Sequence, residues 1–376
     1  RIYLIKRLFE NQGENQKNTH VEGAATLTHL DRCLTCRSCE TTCPSGVEYG
    51  RLLDIGREKI EQQYSRPWRD QLLRWILSTF LSRPSRFTLA MNMARLFRIF
   101  LPTSLRNALP EKARPHSTSP GFPKMSWPEA RHQRRVILLQ GCVQKVVEPG
   151  INKAAAQVLD HCSISVICVD EEACCGALDQ HLTKAEKAEL FMRHNIDAWW
   201  PHIEQGVEAI VSTASACGVQ IKDYGYYLSG DVRYAKKAKR VSALVKDISE
   251  ILVQEDAVVS PLPKKSGITR VAFHAPCTLQ HGQGLGGLVE KILNRWGFET
   301  LPVADSHLCC GSAGTYSVLN PELAEPLRVN KLAALQAQQP DVIASANVGC
   351  LQHLKKDAAV PVRHWIELLV DCQVVK

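Results

Sequence analysis

The 376-residue chain reads as an α/β protein, with an N-terminal helical unit followed by two duplicated α/β cysteine-rich domains built on parallel sheets. Three observations predict this. Between residues 134 and 376, short apolar runs fit for buried strands alternate with helix-length amphipathic stretches. That order gives a parallel sheet with right-handed crossovers. The second half of this region repeats the first in register, which marks a duplication. The first 65 residues carry no such alternation, and four cysteines crowd into eleven positions there.

Composition sets the outer bounds. At 45% hydrophobic content the chain can bury more than one core. No run of eighteen or more apolar residues is present, so no spanning helix is expected. The chain opens on Arg1-Ile2-Tyr3 with no initiator Met, apolar h-region or cleavage site; a processed or truncated start is expected, without a readable export signal. The 15 cysteines fall in Cys-Pro, Cys-Cys-Gly and C-x₂-C contexts, which favour metal binding in a reducing cytoplasm over disulfides. The net charge of +8 is local, because residues 66–109 hold eight Arg against one Asp. It does not describe a nucleic-acid-binding surface, and no nucleic-acid partner is expected.

Taken in order, residues 1–65 begin with a short helical pattern (Ile2, Ile5, Leu8, Phe9) and a polar loop from Asn11 to Gly23. Then come Cys33, Cys36, Cys39 and Cys43, with Pro44 directly after the last. This is the C-x₂-C-x₂-C-x₃-C-P run of bacterial ferredoxins, in which two-residue gaps wrap three thiolates around one cubane and the fourth serves another cluster. Pro44 pre-sets a following helix with Leu52, Ile55 and Ile60 on one face. Zinc sites more often use two Cys/His pairs across a longer loop. Residues 1–65 therefore read as a helical ferredoxin-like [4Fe–4S] unit, with zinc and inert thiols as the competing readings. The chain has no second run of this kind.

Residues 66–133 read as basic amphipathic helices broken at Pro84 and Pro102, then a proline-rich linker from 110. Trp68, Leu72, Trp75, Ile76 and Phe80 alternate with Arg66, Arg69, Arg74 and Arg83. Such helices either lie on an anionic membrane surface or dock on the body with their arginines in water.

Residues 134–260 and 261–376 form the duplication. Arg135–Cys142 matches Arg270–Cys277, and thirty-two residues after each cysteine stands a doublet, Cys174-Cys175-Gly176 and Cys309-Cys310-Gly311. Cys217 and Cys350 follow. Strands are expected at Val136–Leu139, Ile164–Val169 and Ala209–Ser212, and in the second half at Glu299–Val303 and Asp341–Ser345. Loops after parallel strands share one edge, so Cys142, Cys174, Cys175 and Cys217 should converge, as should Cys277, Cys309, Cys310 and Cys350. Four thiolates suit an iron–sulfur cluster or a zinc ion. The glycines after the doublets are expected to let the backbone approach the metal. Cys162, Cys168 and Cys372 have no counterparts and read as ordinary thiols. His181, His274, His281, His307 and His353 lie near the cysteine loops and read as hydrogen-bonded histidines rather than ligands.

These residues resemble the family of bacterial glycolate oxidase (glycolate dehydrogenase) iron–sulfur subunits. The carriers are Arg1–Lys6, His29–Cys36, Asn195–Pro201 and Asp305–Tyr316. The Cys-Cys-Gly halves are also similar to subunits of heterodisulfide reductase and anaerobic glycerol-3-phosphate dehydrogenase. The resemblance implies a cytoplasmic electron-transfer subunit, peripheral on the inner face of the cell membrane. FAD-binding partner subunits would oxidise glycolate to glyoxylate, and electrons would pass towards membrane quinone. It also implies up to two ferredoxin-type clusters in the full-length form, the other motif lying upstream of Arg1, and a further cluster or metal in the Cys-Cys-Gly domains. An iron–sulfur subunit of another hydroxy-acid or glycerol-3-phosphate dehydrogenase, or a heterodisulfide-reductase-like redox subunit, is the alternative. Gln220 and His353 stand where the wider family completes a C-x₂-C, which argues against a five-thiolate cluster.

Overall fold

The central strands of the duplicated region are short and carry buried apolar residues at successive positions, as sheets covered by helices require. In the computed structural model, which describes residues 1–10, 16–97, 127–255 and 267–371, they form two four-stranded parallel sheets. The first is ordered β2-β1-β3-β4, from β1 (Arg134–Leu138), β2 (Ile164–Ile167), β3 (Ala209–Ser212) and β4 (Val245–Asp247). The second repeats it as β6-β5-β7-β8, from β5 (Arg270–His274), β6 (Glu299–Leu301), β7 (Val342–Ser345) and β8 (Val362–His364). Val136 pairs with Ala209 and Val271 with Val342, so the central pairings are equivalent.

The halves share one core. Val136, Leu138 and Val211 of the first sheet lie in the same buried cluster as Val271, Phe273 and Ala344 of the second. The closing helix Trp365–Asp371 of the second half packs on helix Gly150–His161 of the first. Each sheet also has a fourth strand that the apolar runs do not reveal. Both are only three residues long and run straight into a helix.

The N-terminal unit is helical: α1 (Ile2–Glu10), α2 (Gln16–Asp31), α3 (Ser38–Thr42) and α4 (Tyr49–Gln63) around Ile5, Leu30, Leu53 and Ile60. Three expectations change here. The polar stretch from Gln16 to Gly23 is the start of α2 rather than loop, because tertiary packing of Leu30 carries its C-terminal end; Asn11–Asn15 lie outside the described residues. Pro44 enters a turn, not a helix, and α4 begins at Tyr49. Its buried face is Tyr49, Leu53, Arg57 and Ile60, while Ile55 is exposed.

The basic segment forms α5 (Trp68–Leu81) and α6 (Pro84–Leu96), packed together. Both sequence readings placed its arginines outward, and both are corrected for Arg66 and Arg74, which are buried. Arg66 pairs with Asp31, Glu61 and Asp70, and Arg74 reaches Asp70 at 3.1 Å and Asp31 at 3.2 Å. Pro102 and most of the proline-rich linker lie outside the described residues. Among those described, no helix is long and apolar enough to cross a membrane.

Candidate metal centres

In each half the strands deliver four cysteines to one edge of the sheet. Cys142 follows β1, Cys174 and Cys175 follow β2, and Cys217 opens the helix after β3. Cys142 Sγ lies 3.3 Å from Cys174 Sγ, close to the roughly 3.8 Å between two thiolates on one tetrahedral ion with ~2.3 Å bonds. The thiols are linked in series, Cys142 to Cys174 to Cys175 to Cys217. Its hydrogen bond to Cys174, then burial, holds Cys142 well above the usual thiol value. Cys174 and Cys175 each accept from the preceding thiol, which pulls them down. They also donate to the next one and are fully desolvated, and the net direction is upward. Three buried thiols and a half-buried fourth, linked to one another, match the donor set of a metal group, which binds by displacing their protons.

The second half repeats the arrangement. Cys277, Cys309, Cys310 and Cys350 form the same series. Cys277 is pushed up by its hydrogen bond to Cys309 and then by burial. Two N–H groups point at sulfur: Gly311 N to Cys309 Sγ at 3.4 Å and Asn347 Nδ2 to Cys350 Sγ at 3.5 Å.

The doublet loops are held from behind, differently in each half. In the first, Asn195 donates to the Cys174 carbonyl at 2.9 Å and accepts from Ala173 N at 2.8 Å, while Tyr224 donates to the Cys175 carbonyl at 2.9 Å. In the second, buried Lys331 donates to the Asp305 carbonyl at 2.7 Å; burial pulls its ammonium below the usual lysine value, against the pull of the Cys277, Cys310 and Cys309 thiols. The glycines after the doublets have another job than the one expected. Gly176 and Gly311 take φ of 90° and 89°. A Cβ there would sit 3.1 Å from the Ala188 carbonyl oxygen and 2.5 Å from that of Ala324. They allow a helix to approach the loop closely.

In the N-terminal unit, Cys33 is buried, Cys36 and Cys43 are half-buried and Cys39 is exposed. Arg57 pins the loop by donating to the carbonyls of Leu30 (3.0 Å) and Cys33 (3.1 Å). Burial raises Cys36 and Cys39, and charges on neighbouring cysteines add to it; for Cys36 these include Cys277 as well as Cys33. Cys43 shifts the other way, lowered by the N–H groups of Val47, Ser45 and Gly46. The loop is docked on both halves: Arg37 pairs with Asp223 at 2.6 Å, and Thr41 Oγ1 meets His281 Nδ1 at 3.0 Å. The ferredoxin-type loop thus stands beside the second-half cysteines.

Of the other thiols, Cys162 is buried in the shared core, and Cys168 is exposed and accepts from Gln140 at 3.2 Å. Cys372 lies outside the described residues. His281 is hydrogen-bonded at both nitrogens, His307 is exposed, and His353 Nε2 faces the Ala324 carbonyl at 3.4 Å. His181 lies behind the ferredoxin-type loop, lowered to about 3 by burial and by Arg57 and Arg37. His274 departs from the expectation. One of its nitrogens and the sulfurs of Cys310 and Cys350 all lie within 4.8 Å of one another. The one available signal was its match to Leu139 in the repeat.

Two parallel sheets, each presenting a thiol quartet, behind a helical four-cysteine loop define a duplicated cysteine-rich redox-type protein. In agreement, the family model "Cysteine-rich domain" matches twice, at residues 136–222 and 271–355. The chain is 48% identical over 374 residues to the glycolate oxidase iron–sulfur subunit of Escherichia coli (strain K12), covering 98% of this chain and 86% of that one. It is 28% identical to the probable glycolate oxidase iron–sulfur subunit of Bacillus subtilis (strain 168), over 94% and 82% of the two chains. Lactate utilization protein A of Bacillus licheniformis is 24% identical over 62% of this chain and 98% of its own. The chain belongs to the glycolate oxidase iron–sulfur subunit family.

Proposed function

We propose that the chain relays electrons in a glycolate-oxidising complex, from a partner subunit that binds FAD and converts glycolate to glyoxylate towards membrane quinone. The observation that carries the relay is the docking of the ferredoxin-type loop on the second half, where Thr41 Oγ1 meets His281 Nδ1 at 3.0 Å, four residues after Cys277. Iron–sulfur clusters supply one-electron chemistry when bound. The chain's own residues hold the thiolates, exclude water and fix the spacing. Cys33, Cys36 and Cys39 are assigned to one [4Fe–4S] cluster and Cys43 to another, in keeping with the opposite shift at Cys43. The quartets Cys142, Cys174, Cys175, Cys217 and Cys277, Cys309, Cys310, Cys350 are assigned to further clusters.

The membrane side of the proposal rests on α5 and α6. Polar Asp70, Arg74 and Ser78 turn inward, Ser78 bonding buried Asp179 and Lys187, while Trp68, Leu72, Trp75 and Ile76 face out. Leu89, Met93 and Leu96 extend the exposed apolar face, with Arg69, Arg83 and Arg86 exposed around it. Apolar surface ringed by cations suits the cytoplasmic face of an anionic bilayer.

Iron, zinc and acid-labile sulfide, measured after anaerobic purification with EPR of the reduced protein, test the clusters. Zinc without sulfide would end the relay reading. Co-purification with a flavoprotein and glycolate-dependent dye reduction test the partner, and activity confined to another hydroxy acid would overturn the substrate. Leu72→Glu/Trp75→Glu should abolish sedimentation with anionic vesicles; unchanged sedimentation would refute the membrane face.

A further inference from the structure

Because the halves are copies, a chemical difference at equivalent positions near the cysteines is informative. His274 ends β5, and its equivalent after β1 is Leu139. Leu139 is buried with Cys142, Cys174 and Cys175 in one apolar cluster. His274 is 2% exposed, and one of its nitrogens shares a 4.8 Å neighbourhood with the sulfurs of Cys310 and Cys350. Nδ1 is engaged by Ser345 Oγ at 3.1 Å, its partner across the β5–β7 pairing. The equivalent Ser212 instead donates to the Ala214 carbonyl at 2.8 Å. Nε2 is buried without a partner. A buried nitrogen left without a partner is unfavourable. A metal at Nε2 removes that cost, and a group fixing the other nitrogen is what metal-bound histidines ordinarily have.

We propose that His274 Nε2 is a ligand of the iron–sulfur group in the second half, alongside Cys310 and Cys350, whereas the first half ligates by thiolate alone. The inference rests on the reading that the halves hold iron–sulfur groups. A group with four ligand positions that takes His274, Cys310 and Cys350 leaves room for one of Cys277 and Cys309 rather than both, and exchanging that thiolate for a neutral imidazole removes negative charge from the site and raises its reduction potential. Lys331, which donates to the Asp305 carbonyl behind the second doublet loop, biases the second site the same way. The second half is then the stronger electron acceptor of the two, and it is the one beside Cys36.

The test is pulsed EPR of the reduced, anaerobically purified full chain carrying ¹⁵N-histidine. One signal should show strong histidine-nitrogen coupling. His274→Cys should remove the coupling and lower that signal's midpoint potential, with the other signals unchanged. His274→Leu, which copies the first half, should also remove it. Intact clusters without histidine coupling in the unmutated chain would overturn the proposal alone, whatever the variants' folding. Zinc without acid-labile sulfide would overturn the underlying reading and the proposal with it.

Discussion

Gly311 shows what one atom can decide here. Its positive φ alone would cost an L-residue roughly 1–2 kcal/mol, and a Cβ would in addition sit 2.5 Å from a helix carbonyl. At Gly176 the same φ comes with a looser 3.1 Å contact. Gly311→Ala should therefore lower stability by about 3 kcal/mol or more, and Gly176→Ala by about 1–2 kcal/mol, as read by urea unfolding. Equal losses would show that backbone strain alone is at work and that the helix contact is unimportant. At this scale the cysteines were legible, because a thirty-two-residue spacing repeated twice leaves few alternatives. The role of His274 was not. Thirteen histidines look alike in a sequence, and only the pairing of β5 with β7 sets this one between Ser345 and the thiols.

At the scale of elements, periodicity says which residues share a helix face but not which face turns inward. Helix α5 makes the point, since its inward stripe is half-buried Asp70 with buried Arg74 and Ser78, and its exposed stripe is aromatic and aliphatic. An inward polar stripe is stable only where every charge is answered, and Arg66 is the hub that answers three carboxylates. Arg66→Met keeps the volume and leaves Asp31, Glu61 and Asp70 facing one another with Arg74 as their remaining close cation. It should cost about 3–5 kcal/mol, seen as a lower thermal midpoint, and should loosen α5 to hydrogen exchange. A loss under 1 kcal/mol would mean that water already screens the cluster. The two fourth strands escaped notice for a related reason. Val245–Asp247 ends in a capping residue, Asp247, which reads as the start of the next helix because it is that as well.

Across the whole molecule, the placement that matters most was the least legible, because it joins residues far apart in the chain. Arg37 and Asp223 are 186 residues apart, and Thr41 and His281 are 240. Tyr227 donates to Asp54 at 2.8 Å, and Thr183 to Glu61 at 2.8 Å. Together these seat the N-terminal unit on both halves, so the spacing between its cysteine loop and Cys277 depends on side chains that hold no metal. Electron transfer between sites depends on that spacing, and the docking contacts can be removed while the cysteines stay in place. Asp223→Ala leaves half-buried Arg37 without its closest carboxylate and should weaken docking by about 1–3 kcal/mol. The expected result is faster proteolytic cleavage at the Tyr64–Pro67 connection and weaker magnetic coupling in EPR between the clusters proposed for the N-terminal loop and the second-half quartet. Iron content and the individual signals should be unchanged. The Arg37→Ala/Asp223→Ala pair should be no worse than Asp223→Ala by itself. Undiminished coupling in Asp223→Ala would show that the contacts to the second half, through Thr41 and His281, suffice to hold the N-terminal unit in place.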